Sequence, residues 1–214
     1  MSLTTMTKPT LICGICGGIG SGKSFIARQF QSLGAAVFDA DRAGHRVLLN
    51  EDVKALLVKK WGEGILNEQA EINRSSVAQR VFADTLQGQL DREYLQSLSH
   101  PLIKQELEYF LASAESNIII VDAALLFETG WQDLCTQIVY VHADEATRLK
   151  RCQLRGWDIV ELHSREATQW SLERKRLHSD FVIENNGDSE QTSLELQQVW
   201  QALSRLVSFQ EKEG

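Results

Sequence analysis

Eight residues near the start of the chain carry its most specific chemistry. Gly17-Gly18-Ile19-Gly20-Ser21-Gly22-Lys23-Ser24 fits G-x-x-x-x-G-K-[ST], a loop whose backbone N–H groups converge on a phosphate. Glycines let the chain wrap the anion closely. The helix that follows adds its unsatisfied N–H groups and positive end. In such a loop Lys23 bridges β- and γ-phosphate oxygens, and the Ser24 hydroxyl is a ligand for Mg²⁺. The expected ligand is a nucleoside triphosphate, held along Gly18 to Ser24. No G-x-G-x-x-G favours a dinucleotide, and no Asn-Lys pair reads guanine. Asp41-Arg-Ala-Gly44 matches D-x-x-G but lacks partner motifs and is taken as coincidence.

Carboxylates come next. Phosphoryl transfer to an alcohol needs a group that orients the acceptor hydroxyl and takes its proton. Asp39-Ala40-Asp41 follows a short apolar run. If that run is a strand parallel to the one before the phosphate loop, the pair opens on the same sheet edge. Asp39 is the candidate base. Asp41 either binds the acceptor or caps the next helix. Asp122 ends an apolar run, where it either meets Mg²⁺ through water or is a polar strand end. Arg148, Arg151 and Arg155 recur at helical spacing on one face. Gly156 then turns the chain, and Asp158-x-x-Glu161 starts a second helix bearing Arg165. The hairpin is either a lid that closes over the triphosphate and excludes water, or a solvated basic face.

These groups need a scaffold. Strands are expected at Thr10–Cys13, Ala36–Phe38, Asn117–Val121, Gln137–His142 and Phe181–Glu184, with helical segments between them. That alternation reads as an α/β fold: a five-stranded parallel sheet with helices on both faces. After the loop, Phe25, Ile26 and Phe30 are expected to face inward. Asp39 to Ser116 is far longer than a crossover needs and reads as an inserted helical subdomain. A smaller helical excess runs from Asp144 to Ser179. Leu196, Val199, Trp200, Leu203, Leu206 and Val207 form one face of a last helix that covers the sheet.

The 214 residues suit one domain with an insertion. Net charge is −7 and the pI about 5.3, which disfavours nucleic acid as the main partner. No run is long enough to span a bilayer, and the N-terminal MSLTTMTKP has no signal-peptide core. A cytoplasmic location is expected. Cys13-Gly-Ile-Cys16 has redox or zinc spacing, but it sits in an apolar segment entering the loop and is expected to be packing.

Several segments together resemble the dephospho-CoA kinases. They are GGIGSGKS, the Asp-Ala-Asp after it, Ile72-Asn-Arg74, Val81-Phe82, His100-Pro101-Leu-Ile103, Leu125-Leu-Phe-Glu128, Arg151 with Arg155-Gly156, Arg165-x-x-x-Gln169 and Ser179 to Gly187. They follow family order from about Leu11 to Gly187. The resemblance implies a P-loop three-layer core (8–41, 114–143 and 180–214), an inserted helical acceptor domain (42–113) and a lid (144–179). It implies phosphorylation of the ribose 3′-hydroxyl of dephospho-CoA by ATP and Mg²⁺. Asp39 would then be the base, Arg148 or Arg151 a lid contact, and Asp41, Arg74 and His100 part of the acceptor region. Asn185 to Gly187 would lie near adenine. The chain departs from the family pattern at Cys16 (usually Thr), Ala70-Glu71 (an Asp-Gly turn), Ala124 (Pro) and Ser179 (Ala). His100 has a second reading, as the residue before a helix that starts at Pro101.

Overall fold

Five apolar runs become the strands of one sheet: β1 (Leu11–Gly17), β2 (Ala36–Asp39), β3 (Ile118–Asp122), β4 (Gln137–His142) and β5 (Phe181–Glu184). The computed structural model describes residues 11–213. The expected strand start at Thr10 and the core's start at residue 8 lie outside the described residues, as does residue 214. Every strand pairing is parallel, in the order β2-β3-β1-β4-β5. β3 is buried at all five positions, as its unbroken Ile-Ile-Ile-Val run requires when both faces are covered. β1 runs four residues past its expected end. Glycine is a weak strand former, but Cys13 to Gly17 pair with β4 on one side. Pairing overrides propensity there.

Helices cover the sheet. α1 (Lys23–Ser32) buries Ile26, Ala27 and Phe30 in one core with Leu11, Cys13 and Ile15 of β1 and Ile118 and Ile120 of β3. Phe25, expected inward, is 46% exposed, because it falls one residue outside the stripe Ile26 and Phe30 define. The C-terminal helix (Ser189–Glu213) packs Leu196, Val199, Leu203 and Val207 into the same core, with Trp200 partly buried. Leu206 is 37% exposed, at the stripe's margin rather than within it.

The chain divides into two compact units, Asp41–Glu108 and the remaining described residues. The smaller unit holds most of α2 (Ala40–Val47), then α3 (Glu51–Trp61), α4 (Arg74–Val81) and most of α5 (Leu86–Ser113). Asn50 caps α3 by accepting from Asp52 and Val53 N–H, and Asn73 caps α4 by accepting from Ser75 and Ser76 N–H. Pro101 does not start a helix: it lies inside α5, which begins fifteen residues earlier. There the Thr85 hydroxyl accepts from Gly88 N–H (3.0 Å). Asp41 likewise sits in the first turn of α2, one residue inside the helix rather than at its cap.

Beyond β4 come α6 (Glu145–Gln153), α7 (Ile159–Glu166) and α8 (Leu172–Leu177); the C-terminal helix is α9. Asp158 caps α7 as expected, accepting from Glu161 N–H (2.8 Å). Arg155 leaves the expected arginine face, because α6 ends at Gln153 and Arg155 lies in the exposed turn. The four cysteines are free. Burial raises the Cys13 and Cys16 thiols and pushes Cys135 up to about 12, which makes poor thiolates of all three.

Candidate active site

β1 hands the chain directly to the phosphate loop, and α1 begins at its end. The first N–H groups of α1 have no intrahelical partners, and no side chain caps them. Gly22 closes the loop at φ +95°, where a Cβ would lie 2.2 Å from Asn185 Nδ2. Only glycine fits that approach. Lys23 Nζ lies across the loop and donates to the carbonyls of Gly17 (3.3 Å) and Gly18 (3.2 Å). Ser24 is exposed at the helix start, and Ser21 is fully buried.

Donors from distant elements take the loop's other carbonyls. Arg151 Nη1 donates to Gly20 O (3.1 Å) and Ser21 O (3.0 Å), and its Nη2 donates to Asn185 O (2.8 Å). Asn185 Nδ2 donates to Ser21 O (2.7 Å). In a trans peptide the C=O of one residue and the N–H of the next point opposite ways. A Ser21 carbonyl held by Arg151 and Asn185 therefore turns Gly22 N–H the other way. Arg148 is buried and donates to Ile19 O (3.4 Å) and to the Glu166 carboxylate. Arg148 and Arg151 thus both engage the loop backbone.

The carboxylates stand on the sheet edge where the loop leaves. Asp39 pairs in register with Asp122, and Asp122 with Ile15, two residues before Gly17. Register neighbours share a face, so Asp39 and Asp122 project from one side of that edge. Asp122 is buried and Asp39 half-buried.

Beside the loop lies a cavity of about 430 Å³, walled by Gly22, Phe25, Arg151, Asn185, Gly187 and Thr192 among others. Its volume suits a nucleoside. It explains the exposure of Phe25, and burial lowers the Arg151 guanidinium from its ordinary value. The start of α9 supplies Ser189, Thr192, Ser193 and Leu196 to the wall. Periodicity showed that helix only as a cover, since small polar residues at a helix start read as ordinary solvated turn.

Behind the loop, Lys175 on α8 is fully buried. Its three N–H donors meet Glu128 (3.1 Å), Ala124 O (3.0 Å) and Gln169 Oε1 (2.8 Å). Burial lowers its pKa and the Glu128 carboxylate opposes that shift. Glu128 Oε1 also accepts from Trp170 N–H (2.6 Å). The Ala124 departure is harmless here, because Lys175 uses its carbonyl. The Cys16 and Ser179 departures meet each other, Sγ to Oγ at 3.3 Å.

In the smaller unit, Arg74 Nη1 donates to His45 Nδ1 (3.0 Å). A guanidinium cannot accept, so the neutral His45 ring carries its proton on Nε2. Both line a second cavity of about 530 Å³, with Asn67, Glu71, Ile72 and Ser75. Asp41 is exposed on α2. His100 is half-buried in α5, and burial lowers its pKa; it does not line that cavity.

Residues 11–191 match the family model described as dephospho-CoA kinase. The chain belongs to the dephospho-CoA kinase family, and the family is enzymatic. It is 36% identical over 202 residues to the dephospho-CoA kinase of Syntrophotalea carbinolica, covering 92% of each chain. The crystal structure of TT1252 from Thermus thermophilus is 30% identical with a TM-score of 0.75, over 90% of this chain and 97% of that one. The dephospho-CoA kinase from Campylobacter jejuni shares the fold at 22% identity and a TM-score of 0.64, over 91% of this chain and 97% of that one. Among the described residues no helix is long and apolar enough to cross a membrane.

Proposed function

We propose that the chain transfers the γ-phosphoryl group of ATP to the ribose 3′-hydroxyl of dephospho-CoA in the cytoplasm, giving coenzyme A and ADP. The observation that carries this reading is the family match across residues 11–191, on a chain whose phosphate loop and Asp39 share one sheet edge. Lys23 and the loop amides hold the β- and γ-phosphates, and the cavity beside Asn185 and Gly187 takes the adenine. Asp39 orients the 3′-hydroxyl and accepts its proton as the new O–P bond forms. The bond from the γ-phosphorus to the β-bridging oxygen breaks, and ADP leaves with that electron pair. Positioning and electrostatics suffice, with no covalent enzyme intermediate.

The Ser24 hydroxyl and the Asp122 carboxylate are the hard oxygen donors that suit Mg²⁺. Among the described residues no group of three or more His, Cys, Asp or Glu is arranged for a metal. When bound, Mg²⁺ neutralises charge on the transferring phosphates. Arg151 stands beside the same loop as a cationic wall. Arg74, with Asp41 and His100, belongs to the unit proposed to hold dephospho-CoA, and the lid is 144–179, which holds α6, α7 and α8. A coupled ADP-release assay tests the reading. Dephospho-CoA should give sustained turnover, whereas shikimate and nucleosides should give only background. Turnover with either of those, or none with dephospho-CoA, overturns it.

A further inference from the structure

One residue of the phosphate loop has both of its peptide groups held by a single ion pair. Glu166 Oε1 accepts from Ile19 N–H (3.3 Å) and from Arg148 Nη1, and the same Nη1 donates to Ile19 O (3.4 Å). The Arg148 side chain is 4% exposed and that of Glu166 18%, so solvent screens the pair little. The two residues come from different helices, α6 and α7. Arg148 also closes on the loop through its backbone: a Cβ at Gly20 would lie 2.7 Å from Arg148 O.

Peptide planarity turns these contacts into a statement about the loop. Fixing Ile19 N–H sets the plane between Gly18 and Ile19. Fixing Ile19 O sets the next plane and directs Gly20 N–H away from Arg148. We propose that Arg148 and Glu166 are positioning residues that preset two consecutive peptide planes of the phosphate loop for the triphosphate, without touching the nucleotide. The two halves are unequal in charge. A carboxylate on a loop amide repels an incoming triphosphate, and Arg148 cancels that charge where it stands. Arg148 is therefore needed wherever the Glu166 carboxylate stands.

The proposal rests on the reading of ATP as the nucleotide, not on the identity of the acceptor. Its test is therefore calorimetric titration of the full chain with MgATP and no acceptor, alongside each variant's melting temperature. Arg148→Gln leaves the Glu166 carboxylate unpaired at the loop and should weaken MgATP binding about tenfold or more. Glu166→Gln keeps an acceptor for Ile19 N–H and should stay within about threefold of wild type, a shift of under 1 kcal/mol. The double variant should recover most of the Arg148→Gln loss, a coupling that separate roles would not show. Should Arg148→Gln fail to fold, Glu166→Ala against Glu166→Gln still decides, because only the alanine variant should bind MgATP several-fold more weakly. A double variant as weak as Arg148→Gln alone would mean Arg148 touches the phosphates itself and overturns the proposal. Unchanged MgATP affinity in Arg148→Gln or in Glu166→Ala, with a lowered melting temperature, would show packing only and also overturns it.

Discussion

The two units of the chain handle charge in opposite ways. Around the phosphate loop, Arg148, Lys175 and Asn185 are buried, and each donates to a backbone carbonyl. In Asp41–Glu108, of the side chains named for the acceptor, Asp41 and Arg74 are exposed and His100 is half-buried; His45, the partner of Arg74, is exposed too. So is the Arg46–Glu106 ion pair, at 49% and 36%. The buried carboxylate there, Asp91, is occupied with Trp61, Gln87 and Arg80 and holds helices rather than facing a cavity. A site wired through buried donors is organised before its ligand arrives. A site of exposed side chains must order them on binding and loses part of the interaction energy in doing so. Substitutions near the loop should therefore remove chemistry or stability outright, and those in the smaller unit should shift acceptor affinity.

The sharpest contrast is at Asp39. Asp39→Asn keeps the shape and removes the proton acceptor, so kcat should fall about 10²–10⁴-fold while calorimetric ATP affinity stays near wild type. A kcat within a few-fold of wild type would remove Asp39 from the chemistry. Next in size is Lys175→Met. It strands the Glu128 carboxylate against a buried gap, a loss of about 3–5 kcal/mol when one partner of a buried pair is deleted. Arg46→Ala should lose no more than about 1 kcal/mol. Denaturant unfolding of both variants checks the comparison, and equal losses would break it. Arg74→Gln should raise the KM for dephospho-CoA about tenfold, near 1.4 kcal/mol, and leave the KM for ATP alone. A change in the ATP value instead would move Arg74 out of the acceptor region.

The phosphate loop was plain in the sequence because its spacing is a backbone requirement that few other arrangements meet. The strands were plain because β-branched runs such as Ile118–Val121 have little else to become. Asp39 followed from the rule that parallel strands end on one edge, Asp122 from its place at the end of an apolar run, and the two pair in register. What sequence hid was tertiary. Nothing local says that Glu166, on one helix, meets Arg148 on another, or that Lys175 finds Glu128 with β4, α6 and α7 between them in the chain. Phe25 shows a different failure. Apolar character places a residue in a core or in a ligand cavity equally well, and only the wall beside Gly22 tells which. Pro101 shows a third, since a proline that suits a first helical turn can also be carried inside a long helix.

The smallest expected effect lies in the turn that leads to Arg74, at one of the departures from the family pattern. Asn67 Oδ1 accepts from Gln69 N–H (3.0 Å) and Glu71 N–H (2.9 Å), and Asn67 N–H donates to Glu71 O (2.8 Å). The turn those bonds make is tight enough to force Ala70 to φ +57°, and Leu66 and Ile72 then bridge across it. A Cβ in the left-handed region costs about 1–2 kcal/mol. Glycine removes that clash but adds about 0.4–1 kcal/mol of unfolded-state entropy to be lost on folding. Ala70→Gly should therefore stabilise the chain by roughly 0.5–1 kcal/mol net, read as a raised denaturation midpoint at unchanged slope. Ala70 is exposed and off the cavity wall, so the KM for dephospho-CoA should not move. A destabilised Ala70→Gly would mean that the Asn67 bonds do not hold the turn in solution. The cap at Asn73, and with it the placement of Arg74, would then owe nothing to the turn before it.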